Sequence, residues 1–127
     1  MAKRTGARPS GGSRGSSGYV PDAGHLVWLS FSPQAGREQA RRTPALVLSP
    51  AYYNAKAGLC VVCPITSQIK NYPFEVTLPE GLGVAGVILS DHIRSADWQV
   101  RAVDYAGVAP PEVVAEVRAK VKPLLGI

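Results

Sequence analysis

Between Ser32 and Thr43 the chain sets a single carboxylate, Glu38, beside Gln39 and among Arg37, Arg41 and Arg42. Guanidinium groups present a planar fork of donors that matches phosphate oxygens. A carboxylate among them stays ionised near neutral pH and can accept a proton. The grouping therefore suits a phosphate-binding loop with an embedded acid–base residue, and a solvated surface loop is the plain alternative. Thr66, at the end of an apolar run, offers a hydroxyl donor, against the plainer reading of an ordinary strand-end threonine.

Other chemistries are less well supported. Cys60-Val61-Val62-Cys63 has the CxxC spacing, but a zinc site needs two more ligands and the chain offers only His25 and His92. On a strand, residues three apart point to opposite faces, so the two sulfurs diverge and read as buried free cysteines. Gly81-Leu82-Gly83 lacks the Lys-Ser/Thr and the strand–helix context of a phosphate loop. The expectation is therefore no metal and no cofactor.

The elements that must position these groups fit in one domain. The chain has 127 residues, 46% hydrophobic and 18% charged, and a net charge of +5. That size suits a single small globular domain. No apolar run approaches the ~18 residues of a membrane span, and the first eighteen residues carry no hydrophobic signal region. Two cysteines suit a reducing cytoplasm. Residues 1–18 hold Lys3, Arg4, Arg8 and Arg14 and no acid, so +4 of the charge lies there and residues 19–127 carry only +1. This Gly/Ser-rich tail has too little apolar surface to offset its ordering entropy and reads as disordered, either a natural arm that meets phosphates or a vector-derived extension.

Order is expected from Tyr19. His25–Phe31 and Pro44–Ser49 read as strands, separated by the Ser32–Thr43 loop. Pro50–Gly58 reads as a turn or a helical turn, and Leu59–Ile65 as a strand buried on both faces. Phe74–Leu78 alternates like a half-exposed strand. Ala85–Leu89 and Asp91–Trp98 read as two extended segments or one bent strand, and Val100–Tyr105 as a last short strand. From Pro111 the period changes. Val113, Val114, Val117, Val121, Leu124 and Leu125 recur at helical spacing, Glu116 stands four before Lys120, and Gly126 suits the helix end. Short strands followed by one amphipathic helix indicate a mainly β, small barrel-like α+β domain. Trp28 and Trp98 read as core or dimer-interface residues.

Four blocks of sequence, in order, resemble the MazF/PemK family of toxin endoribonucleases: Tyr19–Trp28, Gly36–Ser49, Pro64–Val76 and Asp91–Trp98. The resemblance spans Tyr19 to Ile127. It implies an SH3-like barrel of the PemK/CcdB type with a C-terminal helix, usually a twofold homodimer. It further implies sequence-specific, metal-independent cleavage of single-stranded RNA, leaving 2′,3′-cyclic phosphate and 5′-hydroxyl ends. A MazE-like antitoxin would neutralise the toxin by laying its acidic tail in the RNA groove, and operator DNA would be reached only through that complex. Carried over from the family, Glu38 is the general base and Thr66 a donor to the phosphate. The family usually has arginine directly before the proline that opens the second strand. Here that position is Thr43, so Arg42 or Arg41 would have to supply the charge, or the protein is a catalytically impaired RNA- and antitoxin-binding module. If strand geometry already holds at 42–43, a one-residue shift sends the side chain to the opposite face. Arg37, Gln39, Lys70 and Tyr72 are candidate RNA contacts, and His92 an edge residue of the groove or a structural histidine. A gyrase poison like CcdB is the remaining alternative on the same fold, disfavoured by the Glu38 and Thr66 blocks.

Overall fold

The computed structural model describes residues 18–30 and 42–127. Its strands are β1 (His25–Ser30), β2 (Arg42–Val47), β3 (Cys60–Thr66), β4 (Glu75–Thr77), β5 (Val87–Leu89), β6 (Arg94–Ala96) and β7 (Asp104–Val108). Helix α1 (Ala51–Ala57) joins β2 to β3, and helix α2 (Pro111–Leu125) closes the chain. All pairings are antiparallel, in the order β4-β5-β3-β2-β1-β7, with β6 also on β3. Among the described residues β4 and β7 each pair on one side only, so the small barrel-like sheet is open.

The three central strands are buried on both faces, which is why their sequences are nearly continuous apolar runs. Leu26, Leu46, Cys63 and Ile65 face one core, where Val113, Val117 and Val121 of α2 cover them. Val27, Leu29, Ala45, Val47, Cys60 and Val62 face the other core, closed by Trp98 and Val103. Trp28 is partly buried against the first core. The two cysteines therefore point apart, as their spacing on a strand requires. Pro111 opens α2 at its first turn, and Gly126 ends it with φ 73°, its N–H returning to the carbonyls of Lys122 and Pro123. Among the described residues no helix is long and apolar enough to cross a membrane.

Three expected elements change. The second strand starts at Arg42, two residues early, because Arg42 and Thr43 pair with Ser30 and Leu29. A 3-10 turn at Ser90–His92 divides β5 from β6, and the two strands pair with opposite ends of β3. The last strand begins at Asp104 and reaches Val108. The residues before it turn instead, because Asp97 Oδ1 accepts the Val100 N–H at 3.1 Å and Asp97 O the Arg101 N–H at 3.0 Å. The Met1–Gly18 tail, apart from Gly18, lies outside the described residues.

Candidate active site

Thr66 is the last residue of β3 and half-buried. Its Oγ1 accepts the Gln68 N–H at 3.1 Å, which orients the side chain over the turn that follows. A hydroxyl that accepts in this way keeps its own O–H for donation.

Thr43 shares the face of Thr66. In the β2–β3 ladder Ala45 pairs with Pro64, Leu46 with Cys63 and Val47 with Val62. Thr43 and Thr66 each lie two residues beyond the Ala45–Pro64 pair in the same direction. Period-two alternation puts both on the Ala45 face.

Arg42 goes the other way. It lies on the Pro44–Leu46 face, where Trp28 is the partner of Pro44 and of Asp104. Its Nη2 donates to Asp104 Oδ2 at 2.6 Å and to the Trp28 carbonyl at 3.3 Å. Strand geometry does hold at 42–43, so Arg42 faces the side opposite to Thr43, and its charge is matched by a carboxylate. Asp104 is a partner the sequence reading missed. The two residues are 62 positions apart, and no local pattern signals the contact.

A second group of expected residues gathers where the β3–β4 connection meets the 3-10 turn after β5. Tyr72 Oη donates to Asp91 Oδ1 at 2.8 Å, and His92 Nε2 lies 3.9 Å from the same oxygen. The Asp91 hydrogen bond raises the Tyr72 pKa, so the phenol keeps its proton and acts as a donor. The Glu75 carboxylate accepts the N–H groups of Lys70 and Asn71, each at 2.9 Å, and this bends the chain there, with Asn71 at φ 60°. Lys120 Nζ of α2 donates to the Pro73 carbonyl at 2.7 Å. These contacts shape an open groove of about 390 Å³ lined by Ile69, Asn71, Tyr72, Pro73, Glu75, Thr77 and Lys120. The Lys70 side chain is exposed and faces solvent together with His92. Glu38, Arg37, Gln39 and Arg41 lie outside the described residues.

Cys60 and Cys63 are free, and burial pushes both thiols up to about 12, so neither is a ready thiolate.

The family described as PemK-like, MazF-like toxins of type II toxin–antitoxin systems matches residues 22–125. The endoribonuclease toxin MazF of Escherichia coli K12 is 46% identical over 110 residues, covering 87% of this chain and 98% of that protein. The Escherichia coli endoribonuclease PemK is 32% identical over 105 residues, 78% of each chain. Among solved structures, MazF of Deinococcus radiodurans superposes with a TM-score of 0.78 at 62% identity, covering 86% of this chain and 99% of that one. A MazE–MazF complex from the same organism gives 0.78 at 57% identity, covering 86% and 98%.

Proposed function

This chain belongs to the PemK-like, MazF-like family of type II toxins, and from that premise we propose that it is a sequence-specific, metal-independent endoribonuclease acting on single-stranded RNA. RNA supplies its own nucleophile. Glu38 takes the proton of a 2′-hydroxyl, O2′ bonds to phosphorus and the P–O5′ bond breaks. A 2′,3′-cyclic phosphate remains, the departing 5′-oxygen takes a proton from water to end as a hydroxyl, and Glu38 returns its proton to solvent. Thr66 donates to a non-bridging oxygen as charge builds in the pentavalent state. A preorganised donor of this kind is worth roughly 3 kcal/mol of barrier. With Arg42 held by Asp104, Arg41 is the loop arginine assigned to the phosphate, and Thr43 adds a neutral hydroxyl. Arg37, Gln39, Lys70, Tyr72 and His92 line the path of neighbouring nucleotides, where aromatic stacking and phosphate contacts are sequence-tolerant anchors.

The observation that supports the reading is Thr66 at the end of β3, its Oγ1 accepting the Gln68 N–H so that its own O–H remains for donation, on the face that Thr43 shares. The solved complexes of MazE with similar chains support a MazE-like antitoxin as the protein partner, its acidic tail competing with RNA for the groove. A homodimer working in the cytoplasm completes the proposal. The test is incubation of purified protein with a defined RNA in EDTA. Cleavage giving cyclic-phosphate ends, lost in Glu38→Ala and reduced about a hundredfold in Thr66→Ala, is the expected result.

A second reading has its own observation. The position that the family fills with arginine is Thr43, and the adjacent Arg42 is neutralised by Asp104. An RNA- and antitoxin-binding protein with little cleavage follows from that arrangement. RNA left intact at high protein concentration, with antitoxin binding retained, would select it.

A further inference from the structure

We infer that Gly86 is a positioning residue for Thr66, setting where its hydroxyl stands. The inference rests on the proposed role of Thr66 as the phosphate donor. Gly86 immediately precedes β5, and Val87 pairs with Thr66. Its φ is 126°, a backbone conformation that residues with a Cβ rarely adopt. Its carbonyl accepts the Leu78 N–H at 3.0 Å, so it is pinned from the β4 side as well.

The bare α-carbon faces one peptide. A Cβ built on Gly86 would fall on the Thr66 carbonyl oxygen, 2.9 Å from the Thr66 carbonyl carbon and 3.3 Å from the Ser67 nitrogen. These atoms form the Thr66–Ser67 peptide, the first of the turn in which Gln68 N–H returns to Thr66 Oγ1. The neighbouring atoms are backbone, so no side-chain rotation relieves the contact. A methyl group at position 86 must displace that peptide, and the hydroxyl moves with it. Misplacing a catalytic group by about 1 Å is enough to cost about a hundredfold in rate.

Other glycines lack this relation to the site. Gly83 and Gly107 also approach backbone closely, but at Ala106 and Leu82, away from Thr66.

The experiment uses the full chain. In Gly86→Ala, kcat is expected to fall about a hundredfold, with KM within twofold. Thr66→Ala added to Gly86→Ala should lower kcat by less than threefold more, because the hydroxyl is already out of place. The Ser67 amide resonance in a ¹⁵N spectrum should shift, and this readout does not depend on cleavage. If Gly86→Ala does not fold, a semisynthetic chain with D-alanine at 86 replaces it. D-alanine accepts positive φ and directs its methyl away from the Thr66 peptide, so it should keep kcat within threefold. Losses from Gly86→Ala and Thr66→Ala that multiply, an unshifted Ser67 amide, or a D-alanine chain as impaired as a Thr66→Ala chain would overturn the inference. A chain in which Thr66→Ala leaves cleavage unchanged would instead remove the role of Thr66, and the Ser67 amide would still decide the role of Gly86.

Discussion

Restoring a positive charge at Thr43 is the sharpest test of the proposed site. Thr43 sits in β2 on the face of Ala45, two residues beyond the last β2–β3 pair, as Thr66 does on β3. An arginine there has the length to reach over a phosphate held by the Thr66 hydroxyl. The long stem would run along the strand end, where Thr43 is only half-buried, so no core residue must move. A charged donor on a developing phosphorane contributes about 3–4 kcal/mol, which corresponds to roughly 10²- to 10³-fold in rate. Thr43→Arg should therefore raise kcat for a defined RNA by about two orders of magnitude in EDTA, with Glu38→Ala abolishing the gain. Asp104→Asn is the internal control. It frees Arg42 from its 2.6 Å ion pair, but Arg42 faces the other side of the sheet, so kcat should change by less than threefold. A Thr43→Arg chain that folds normally yet gains less than tenfold would refute the register argument. A gain in Asp104→Asn as large as in Thr43→Arg would show that Arg42 reaches the phosphate and that the ion pair restrains it.

Two further expectations concern groups away from the site. Asn54 is fully buried: its Oδ1 accepts the Ser49 hydroxyl at 2.6 Å, its Nδ2 donates to the carbonyls of Pro21 and Ser49, and its carbonyl accepts Trp98 Nε1 at 3.0 Å. Asn54→Ala strands the Pro21 carbonyl and the Ser49 hydroxyl, so stability should fall by about 2–3 kcal/mol and the melting temperature by roughly 10 °C, read by thermal denaturation. Cys60 and Cys63 titrate at about 12 when folded, against 9.0 for a free thiol. The folded state thus holds protons that the unfolded state releases, and stability should decline as pH rises from about 9 toward about 12. Denaturant midpoints across that window should fall less steeply in Cys60→Ala/Cys63→Ala, and iodoacetamide at pH 8 should label the native thiols far more slowly than the unfolded ones.

The parts of the fold that were legible in the sequence are those where burial writes itself into residue type. Leu26, Val27 and Leu29, or Leu46 and Val47, are apolar in succession because each strand serves two cores. The valines of α2 recur at helical spacing because one face covers the sheet. The last strand was harder, because Asp104–Val108 is an edge with exposed Tyr105 and Val108 and a register shift opposite Leu26 and Val27. No alternation survives there, and one Asp97 side chain turns the preceding residues away from the sheet. The site divides along the same line. Thr66 is a candidate by its place at the end of an apolar run and Glu38, outside the described residues, by its arginine neighbours, but the facing of Arg42 has no such signal. That depended on whether pairing with β1 extends to Ser30, which is a property of the ladder and not of the loop sequence.

The same point decides where the charge of the molecule matters. Residues 19–127 carry a net charge of +1, so the net charge alone does not single the domain out for RNA and local placement must do the discriminating. In that setting one strand position is decisive. An arginine at 43 would add its charge to the face of Thr66, whereas the arginine at 42 spends its charge on Asp104 across the sheet. Two adjacent residues of nearly equal reach thus have opposite consequences, because side chains alternate along a paired strand. The pairing of Leu29 with Thr43 and of Ser30 with Arg42 fixes which is which. If that pairing were lost beyond Trp28, Arg42 would be released to either face and the distinction between the two positions would vanish. Amide exchange at Thr43 in the free protein measures this directly: protection comparable to that of Ala45 supports the alternation, and exchange at the rate of an open chain removes it.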